Sequence, residues 1–176
     1  MTVPVLTTER LVLREPAATD AVQILVFRGD PEVQRYNDEP LRDVAEAEAF
    51  VDFLRSECAA DQRRHWAISF DGTVVGLIGL HTWQHHHRRA ELGYDLARSH
   101  WGRGIAFEAA RAVIAFGFRA MALHRIHAYT IADNHPSVRL LERLGFQREG
   151  TLREFSLEDD GTFHDSVVFG LLHTDG

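Results

Sequence analysis

Lysine is absent from this chain of 176 residues, and all 19 basic residues are arginines. A phosphate-binding loop of the P-loop type is therefore excluded, because its last glycine is followed by lysine. A Schiff-base enzyme of the pyridoxal or aldolase kind is excluded as well, because its covalent step needs a lysine amine. The missing residue type removes two large enzyme classes.

Cysteine and long apolar runs are also scarce. The single cysteine, Cys58, excludes an intramolecular disulfide framework and a cysteine-rich zinc site. No stretch reaches the ~18–20 apolar residues of a membrane span, and residues 1–14 lack the apolar core and cleavage site of a signal peptide. We therefore expect a cytoplasmic protein without a membrane partner. Because no repeat or linker interrupts the chain, we expect a single domain over residues 1–176.

Negative charge is concentrated in the first third of the chain. Residues 1–62 contain six arginines and thirteen acidic residues, whereas residues 63–176 contain thirteen of each. The net charge of −7 disfavours nucleic-acid binding, which needs a basic stripe. An acidic surface suits a cationic substrate better. The alternative is that acidic helices only keep the protein soluble.

The pattern of apolar and polar residues predicts a mixed α/β chain. Strands are expected at 7–14, 65–70, 73–80, 90–97, 125–132, 147–157 and 163–172, and helices at 21–27, 43–60, 105–121 and 136–144. Asp71-Gly72 lies between two predicted strands and is typical of a two-residue hairpin turn. The sheet is therefore expected to be partly antiparallel.

The segment 101–106, Trp-Gly-Arg-Gly-Ile-Ala, follows a predicted strand and opens a predicted helix. Its two glycines expose backbone N–H groups, and the helix adds its unpaired first donors and the positive end of its dipole. This combination suits a pyrophosphate. It is not the dinucleotide fingerprint, because the third glycine is missing. The alternative is a tight strand-to-helix turn that binds nothing.

A second informative segment is Asn134-His135-Pro136-Ser137. Asn134 is expected to cap a helix or form a turn, and proline is favourable in the first turn that follows. The Ser137 hydroxyl lies in that same turn and is placed to face a ligand. Its alternative role is that of a capping hydroxyl.

These two segments resemble the GNAT superfamily of N-acetyltransferases. Gly102–Ala106 is similar to the acyl-CoA pyrophosphate loop of that family, and Asn134-x-x-Ser137 followed by Leu-Glu-Arg-Leu-Gly-Phe is similar to its later motif. Segments 8–14, 90–94 and 149–153 resemble the ribosomal-protein-alanine (Rim-type) branch. The resemblance implies an α/β fold of the α+β type, with a central mixed, mostly antiparallel sheet of about seven strands flanked by helices.

The function implied by the resemblance is transfer of an acetyl group from acetyl-CoA to a primary amine, by direct attack in a ternary complex. The first acceptor to consider is a protein N-terminal amine. A small amine (a polyamine, an antibiotic or an aminoacyl nucleotide) and a non-catalytic acyl-CoA-binding module are the alternatives. Direct attack agrees with the absence of lysine and with Cys58 lying in an acidic helix, where its pKa is expected to rise. A homodimer is left open, because relatives often pair through late strands.

The resemblance also assigns the site residues. The acetyl-CoA residues are Leu96, Trp101, Gly102, Arg103, Gly104, Ile105, Ala106 and Asn134. Ser137 is expected to donate a proton to the departing sulfur, because Leu141 occupies the position of the tyrosine acid that many members use. The oxyanion is expected to meet backbone N–H groups of residues 92–96.

Two carboxylates are candidates for the base that removes the amine proton. Glu91, on the strand leading to the glycine loop, is the first, and Glu154 is the second. A carboxylate in a partly dry cleft has a raised pKa, which suits proton removal. The alternative for Glu91 is a surface carboxylate paired with Arg88 or Arg89.

Two further groups of residues are candidates for contact with a ligand. Phe27, Tyr36 and the acidic residues of segment 30–48 are expected to line the entrance for the acceptor. His81, His85, His86 and His87 are either a metal site or a solvated loop. The solvated loop is favoured, because consecutive histidines on a strand point alternately and no acid or cysteine joins them. No metal is therefore expected.

Overall fold

A computed structural model describes residues 3–37, 39–158 and 161–175. Within these residues, eight strands form one sheet in the order β1-β2-β3-β4-β5-β6-β8-β7. The strands are β1 (Leu6–Thr7), β2 (Leu11–Arg14), β3 (Arg64–Phe70), β4 (Thr73–Gln84), β5 (Arg89–Leu96), β6 (Arg125–Ile131), β7 (Gln147–Leu157) and β8 (Phe163–Leu172). The helices are α1 (Ala21–Arg28), α2 (Pro31–Gln34), α3 (Val44–Ala59), α4 (Ile105–Arg119) and α5 (His135–Arg143).

The helices cover both faces of the sheet. Ile78 of β4 packs in one apolar cluster with α4, whereas its neighbour Leu77 packs in another with α1 and α3. Since successive side chains of a strand point to opposite faces, α4 lies on one face and α1 and α3 lie on the other. These two faces are called the α4 face and the α1/α3 face below.

Neighbouring strands are antiparallel except β5 and β6, which are parallel. The pairing of these two strands is short. Arg89–Glu91 pairs with Arg125–His127, and no further residues of β5 and β6 pair in the described chain. Both strands continue, β5 to Leu96 and β6 to Ile131, so a gap opens between them beyond Glu91. The gap leaves one edge of β5 without a strand partner and creates the space for a site.

The predicted mixed, mostly antiparallel sheet is confirmed, with one more strand than expected. The predicted first strand is two strands, because the chain turns at residues 8–10. There the Thr8 hydroxyl accepts the N–H of Leu11, and Glu108 of α4 accepts from both Thr8 Oγ1 (2.6 Å) and the Arg10 N–H (2.9 Å). The turn is thus held by a residue about one hundred positions away, which local pattern does not reveal.

Two local turn predictions have different outcomes. The Asp71-Gly72 hairpin is confirmed, with positive φ angles of 49° and 77° at the two turn residues. The helix predicted over 21–27 is confirmed as α1, which ends one residue later at Arg28, but a short helix, α2, follows it at once. Asp30 caps α2 by accepting the N–H of Glu32 (3.0 Å), so a stop signal for one helix is also the start signal for the next.

None of the helices in the described part of the chain is long and apolar enough to cross a membrane.

Candidate active site

A cavity of about 620 Å³ occupies the gap between β5 and β6. Its walls are β5 from Leu92 onward, the first turn of α4, the start of α5, and the segment 32–37 around α2. All the residues expected to bind acetyl-CoA line this cavity except Arg103. Arg103 turns away, with its guanidinium over the ring of Phe70 at 4.9 Å.

The N-terminus of α4 forms an anion cradle at one end of the cavity. Gly102 and Gly104 have φ angles of 72° and 76°, which other residues adopt only with strain. In the described chain, the N–H groups of Ile105, Ala106 and Phe107 have no protein acceptor, as the first donors of a helix do not. The Trp101 indole N–H donates to the Leu96 carbonyl (2.7 Å) and ties this loop to the end of β5.

Ser137 faces the cavity at the start of α5. Asn134 caps this helix by accepting the Ser137 N–H (3.3 Å), which confirms the predicted cap. The cap is thus the asparagine side chain, and the Ser137 hydroxyl is available for another partner. That partner is Tyr94 of β5, whose Oη lies 2.7 Å from Ser137 Oγ.

Tyr94 is protonated throughout the working pH range of an enzyme. It is partly buried, and burial raises the pKa of its hydroxyl to about 12, although the hydrogen bond with Ser137 opposes the rise. A neutral phenol next to a serine hydroxyl gives the cavity two linked O–H donors.

Glu91 lies at the closed end of the gap, in the last pair of β5 with β6, opposite His127. It does not line the cavity itself. Burial raises the pKa of its carboxyl, and the charge of Arg63 partly opposes this. The alternative, a surface pairing of Glu91 with Arg88 or Arg89, is not formed within the described residues; the Nε atoms of these arginines donate to Ala122 and Gln84.

The two faces of the sheet separate the candidate base from the candidate acid. Asp95 projects to the α1/α3 face, since it bonds to Arg28 of α1. By strand alternation Glu91 and Gly93 share that face, and Tyr94 projects to the other. The gap between β5 and β6 therefore connects a carboxylate on one face with the Tyr94–Ser137 pair on the other.

Asp95 organises the end of the cavity on the α1/α3 face. Its carboxylate accepts from Arg28 Nη1 (2.8 Å), Asn37 Nδ2 (2.7 Å) and Gln34 Nε2 (3.4 Å). Arg28 and Asp95 are both largely buried. This network holds α2 and the loop after it against β5, and so fixes the wall that includes Tyr36.

Comparison with known proteins identifies the family. Residues 10–147 match the family model described as the acetyltransferase (GNAT) domain. The chain belongs to the GNAT family of acetyltransferases. It is 38% identical over 168 residues to the uncharacterized N-acetyltransferase p20 of Bacillus licheniformis, with 94% of each chain covered. It is 32% identical over 108 residues to spermidine N(1)-acetyltransferase of Escherichia coli K12, covering 60% of this chain and 58% of that one.

The fold agrees with solved GNAT structures. Mycobacterium smegmatis RimJ in complex with CoA-disulfide superposes with a TM-score of 0.88 at 26% identity, covering 99% of this chain and 88% of that one. The predicted family and the predicted enzyme class are confirmed. The chain is an acetyl-CoA-dependent N-acetyltransferase of the GNAT family.

Two residues that the sequence places at the GNAT site lie elsewhere. Glu154 is exposed on β7 and lines a separate shallow hollow with Phe155 and Asp165. Phe27 was expected at the acceptor entrance, but it is 1% exposed in the cluster between α1 and α3. Its helical spacing from Ile24 points it into the core.

Among the acidic residues of segment 30–48, Glu32 lines the cavity, and Asp38 lies outside the described residues.

The histidines are divided between two environments. His81 of β4 lies in the sheet, with its ring 4.5 Å from that of buried His65, and Gly93 leaves the room that His81 occupies. His85 follows β4 and stacks on Trp83 at 3.9 Å. No group of three or more His, Cys, Asp or Glu in the described ranges could hold a metal ion.

Cys58 is buried in α3, and its pKa is raised as the sequence predicts. The main cause is burial rather than the acidic residues of the helix.

Sequence reasoning missed Tyr94 and the Asp95 network. Tyr94 was visible as a phenol on the strand that leads into the glycine loop, but its partner, Ser137, is 43 positions away. Asp95 joins residues 58 and 67 positions away. Pairings of this kind depend on tertiary packing, which periodicity does not encode.

Proposed function

We propose that this enzyme transfers the acetyl group of acetyl-CoA to the N-terminal α-amine of a protein or peptide, with residues 1–176 acting as one catalytic domain. The acceptor enters from the α1/α3 face and meets the thioester in the gap between β5 and β6.

The choice of acceptor rests on the hydrogen bonds and the ion pair of the Asp95 carboxylate. Its carboxylate is already paired with Arg28 and bonded to Asn37. A polyamine carries several cationic groups, and the Asp95 carboxylate on the cavity wall is not open to any of them. Amide groups such as that of Asn37 suit an acceptor that has one amine followed by peptide groups. The likeness to the putative ribosomal N-acetyltransferase YdaF of Bacillus subtilis, 33% identical over 73% of this chain, supports the same choice, since the likeness to the spermidine enzyme covers 60% of this chain.

Acetyl-CoA is proposed to bind with its pyrophosphate at the cradle of α4. The unpaired N–H groups of residues 105–107 and the open φ angles of the two glycines fit such an anion. Arg139 and Arg143 of α5 line the same cavity and add positive charge. Trp101 and Leu96 then fix the loop in place through the indole hydrogen bond.

Proton removal is assigned to Glu91. An α-amine has an ordinary pKa of about 7.7–8.0, so it needs only modest assistance to lose its proton. Burial raises the pKa of Glu91 and makes it a better proton acceptor than an exposed carboxylate. Because Glu91 lies below the cavity rather than on its wall, we assign the transfer to a water between the amine and the carboxylate.

The remaining steps involve the thioester and the sulfur. The amine nitrogen attacks the carbonyl carbon, and backbone N–H groups of β5 that face the gap stabilise the negative charge on the oxygen. The C–S bond then breaks, and the nitrogen passes its second proton to a water in the gap, which returns a proton to the Ser137 oxygen once that hydroxyl has given its own to the sulfur. The Ser137 hydroxyl donates a proton to the leaving sulfur, and neutral Tyr94 stabilises Ser137 through the 2.7 Å hydrogen bond. The products are the N-acetylated acceptor and CoA thiol.

The acceptor is tested by measuring CoA thiol release at a fixed concentration of acetyl-CoA. The acceptors are peptides with free N-termini, the same peptides with a blocked α-amine and an internal lysine, and spermidine. We expect kcat/KM for the free peptides to exceed that for spermidine by about tenfold or more. Higher kcat/KM with spermidine, or equal rates with blocked peptides, would contradict the proposal.

A further inference from the structure

Two exposed aromatic residues stand beside the acceptor end of the cavity. Tyr129 of β6 lines the cavity and is 40% exposed, and Phe155 of β7 is 58% exposed. Their rings stack at 5.8 Å with an interplanar angle of 18°. Tyr129 also packs edge-to-face against His127 at 5.5 Å. The stacked pair of Tyr129 and Phe155 is called the aromatic wall.

The aromatic wall lies on the same face of the sheet as Glu91. His127 pairs with Glu91 in the last register of β5 with β6. Tyr129 is two residues further along β6, so its side chain projects to the same face as that of His127. The wall therefore stands immediately outside the gap, on the face from which the acceptor is proposed to enter.

A backbone irregularity places Phe155 on this wall. The register of β7 with β8 passes from Leu152 opposite Ser166 to Ser156 opposite His164, so residues 153–155 face Asp165 alone. Glu154, in the middle of the bulge, has a φ of 50°, a strained value for a glutamate. Its N–H donates to the Asp165 carboxylate (2.8 Å), which holds the bulge. Bulges of this kind redirect a side chain and are frequent beside active sites.

The bulge points to a function for the exposed ring. Strained backbone persists where the surrounding structure enforces it, and it is concentrated at ligand sites. Here the strain and the Asp165 hydrogen bond bring Phe155 onto Tyr129 and leave both rings open to solvent. An exposed aromatic pair that is continuous with a cavity is typical of a binding surface.

We propose that the aromatic wall is a subsite for an apolar side chain at the second residue of the acceptor peptide. This inference rests on the proposed function. One residue of extended chain spans about 3.3–3.6 Å, so a first residue whose amine lies in the gap brings the second residue to the wall. The wall selects among peptides by contact with that side chain, and it takes no part in proton transfer.

The test compares two peptides that differ only in having leucine or glycine at the second residue. The wild-type enzyme is expected to prefer the leucine peptide, measured as the ratio of the two kcat/KM values. Phe155→Ala is expected to lower this ratio about tenfold, since it removes one ring of the stacked pair. Phe163→Ala is the matched control, because Phe163 is 61% exposed on the paired strand β8 and lies outside the cavity. The control should keep the wild-type ratio.

Three results would overturn the inference or its basis, and they are distinguishable. An unchanged ratio in Phe155→Ala, with wild-type peptide turnover intact, refutes the wall as a subsite and leaves the proposed function standing. Acetylation of spermidine but of neither peptide refutes the proposed function itself. A wild-type dimer that becomes a monomer in Phe155→Ala, as measured by sedimentation at assay concentration, assigns the wall to a subunit interface and refutes the subsite.

Discussion

At the scale of single residues, the site depends on two hydroxyl groups and one carboxylate on opposite faces of the sheet. Asn134 accepts the backbone N–H of Ser137, and the phenol of Tyr94 bonds the Ser137 hydroxyl, so the residue is fixed from α5 and from β5. A donor fixed in this way needs no reorganisation when charge develops on a leaving group.

The role of Ser137 is tested by its replacement with alanine. We expect Ser137→Ala to lower kcat by about tenfold or more, because one positioned donor to the sulfur is lost. KM for acetyl-CoA should change little. The assay is CoA thiol release under saturating substrates. Ser56→Ala, on the exposed side of α3, is the control and should keep wild-type kcat; unchanged kcat in Ser137→Ala would remove this residue from the mechanism.

The role of Glu91 is tested through the pH dependence of kcat/KM. A base must be ionised to act, and burial raises the pKa of Glu91 above the ordinary carboxyl value. Activity is therefore expected to fall as the pH drops through this raised pKa. Glu91→Gln should lower kcat/KM and abolish this fall of activity at acidic pH, which is called the acidic limb of the pH profile.

Glu154→Gln is the matched control for Glu91, because it makes the same change at the exposed second candidate. It should retain both the rate and the acidic limb. If Glu154→Gln loses the limb and Glu91→Gln keeps it, the two carboxylates have been assigned the wrong way round.

The sequence predicted the residue types of the site better than their partners. Ser137, Asn134 and the two loop glycines were all identifiable, because local turn and cap chemistry constrains them. The direction of the Arg103 side chain was not predictable, since its stacking on Phe70 comes from a distant strand. Tyr94 was not assigned a role for the same reason.

At the scale of elements, the anion cradle depends on the backbone of the loop before α4. Gly102 and Gly104 adopt positive φ angles, and the loop is tied to β5 by the Trp101 indole. A change of backbone conformation here should affect acetyl-CoA binding more than it affects the fold.

Gly102→Ala tests the cradle. A Cβ at Gly102 meets no atom within 4 Å, so the substitution acts through its φ of 72° alone and costs about 1 kcal/mol of stability. We expect KM for acetyl-CoA to rise about fivefold or more as the N–H groups shift.

Gly72→Ala provides the matched control for the cradle. Gly72 has a φ of 77° with equally open surroundings, but it lies in the β3–β4 turn. Its stability loss in thermal unfolding should be similar to that of Gly102→Ala, with no change of KM. An equal rise of KM in both variants would mean that general destabilisation is responsible.

The elements that the sequence predicted are those with strong local signals. The two-residue turn at Asp71-Gly72, the apolar α4 and the paired strands β7 and β8 occur within a few residues of their expected bounds. The division of the first strand into β1 and β2 was missed, because Glu108 holds that turn from α4. The separation of β5 from β6 was also beyond local pattern, since both strands have ordinary alternation up to their ends.

At the scale of the whole molecule, the charge asymmetry faces the acceptor. The acidic first third of the sequence forms α1, α2 and α3, on the face where the amine is proposed to enter. We infer that this surface attracts cationic acceptors over distances comparable to the Debye length, about 10 Å at 0.1 M salt.

The attraction is tested by varying salt at saturating acetyl-CoA. For a basic peptide, kcat/KM should fall about threefold or more between roughly 0.02 M and 0.5 M salt, because screening weakens long-range steering. An acidic peptide with the same first two residues is the control and should not show this decrease. A salt-independent kcat/KM for the basic peptide would leave the acidic surface with a role in solubility alone.

The choice of acceptor is tested most directly by a competition for the acetyl group. The enzyme is incubated with acetyl-CoA and equal concentrations of a free N-terminal peptide, its α-blocked counterpart with an internal lysine, and spermidine, and the products are identified by mass spectrometry. We expect the first acetyl groups to appear on the α-amine of the free peptide. Acetyl groups that appear first on spermidine or on the lysine side chain would contradict it.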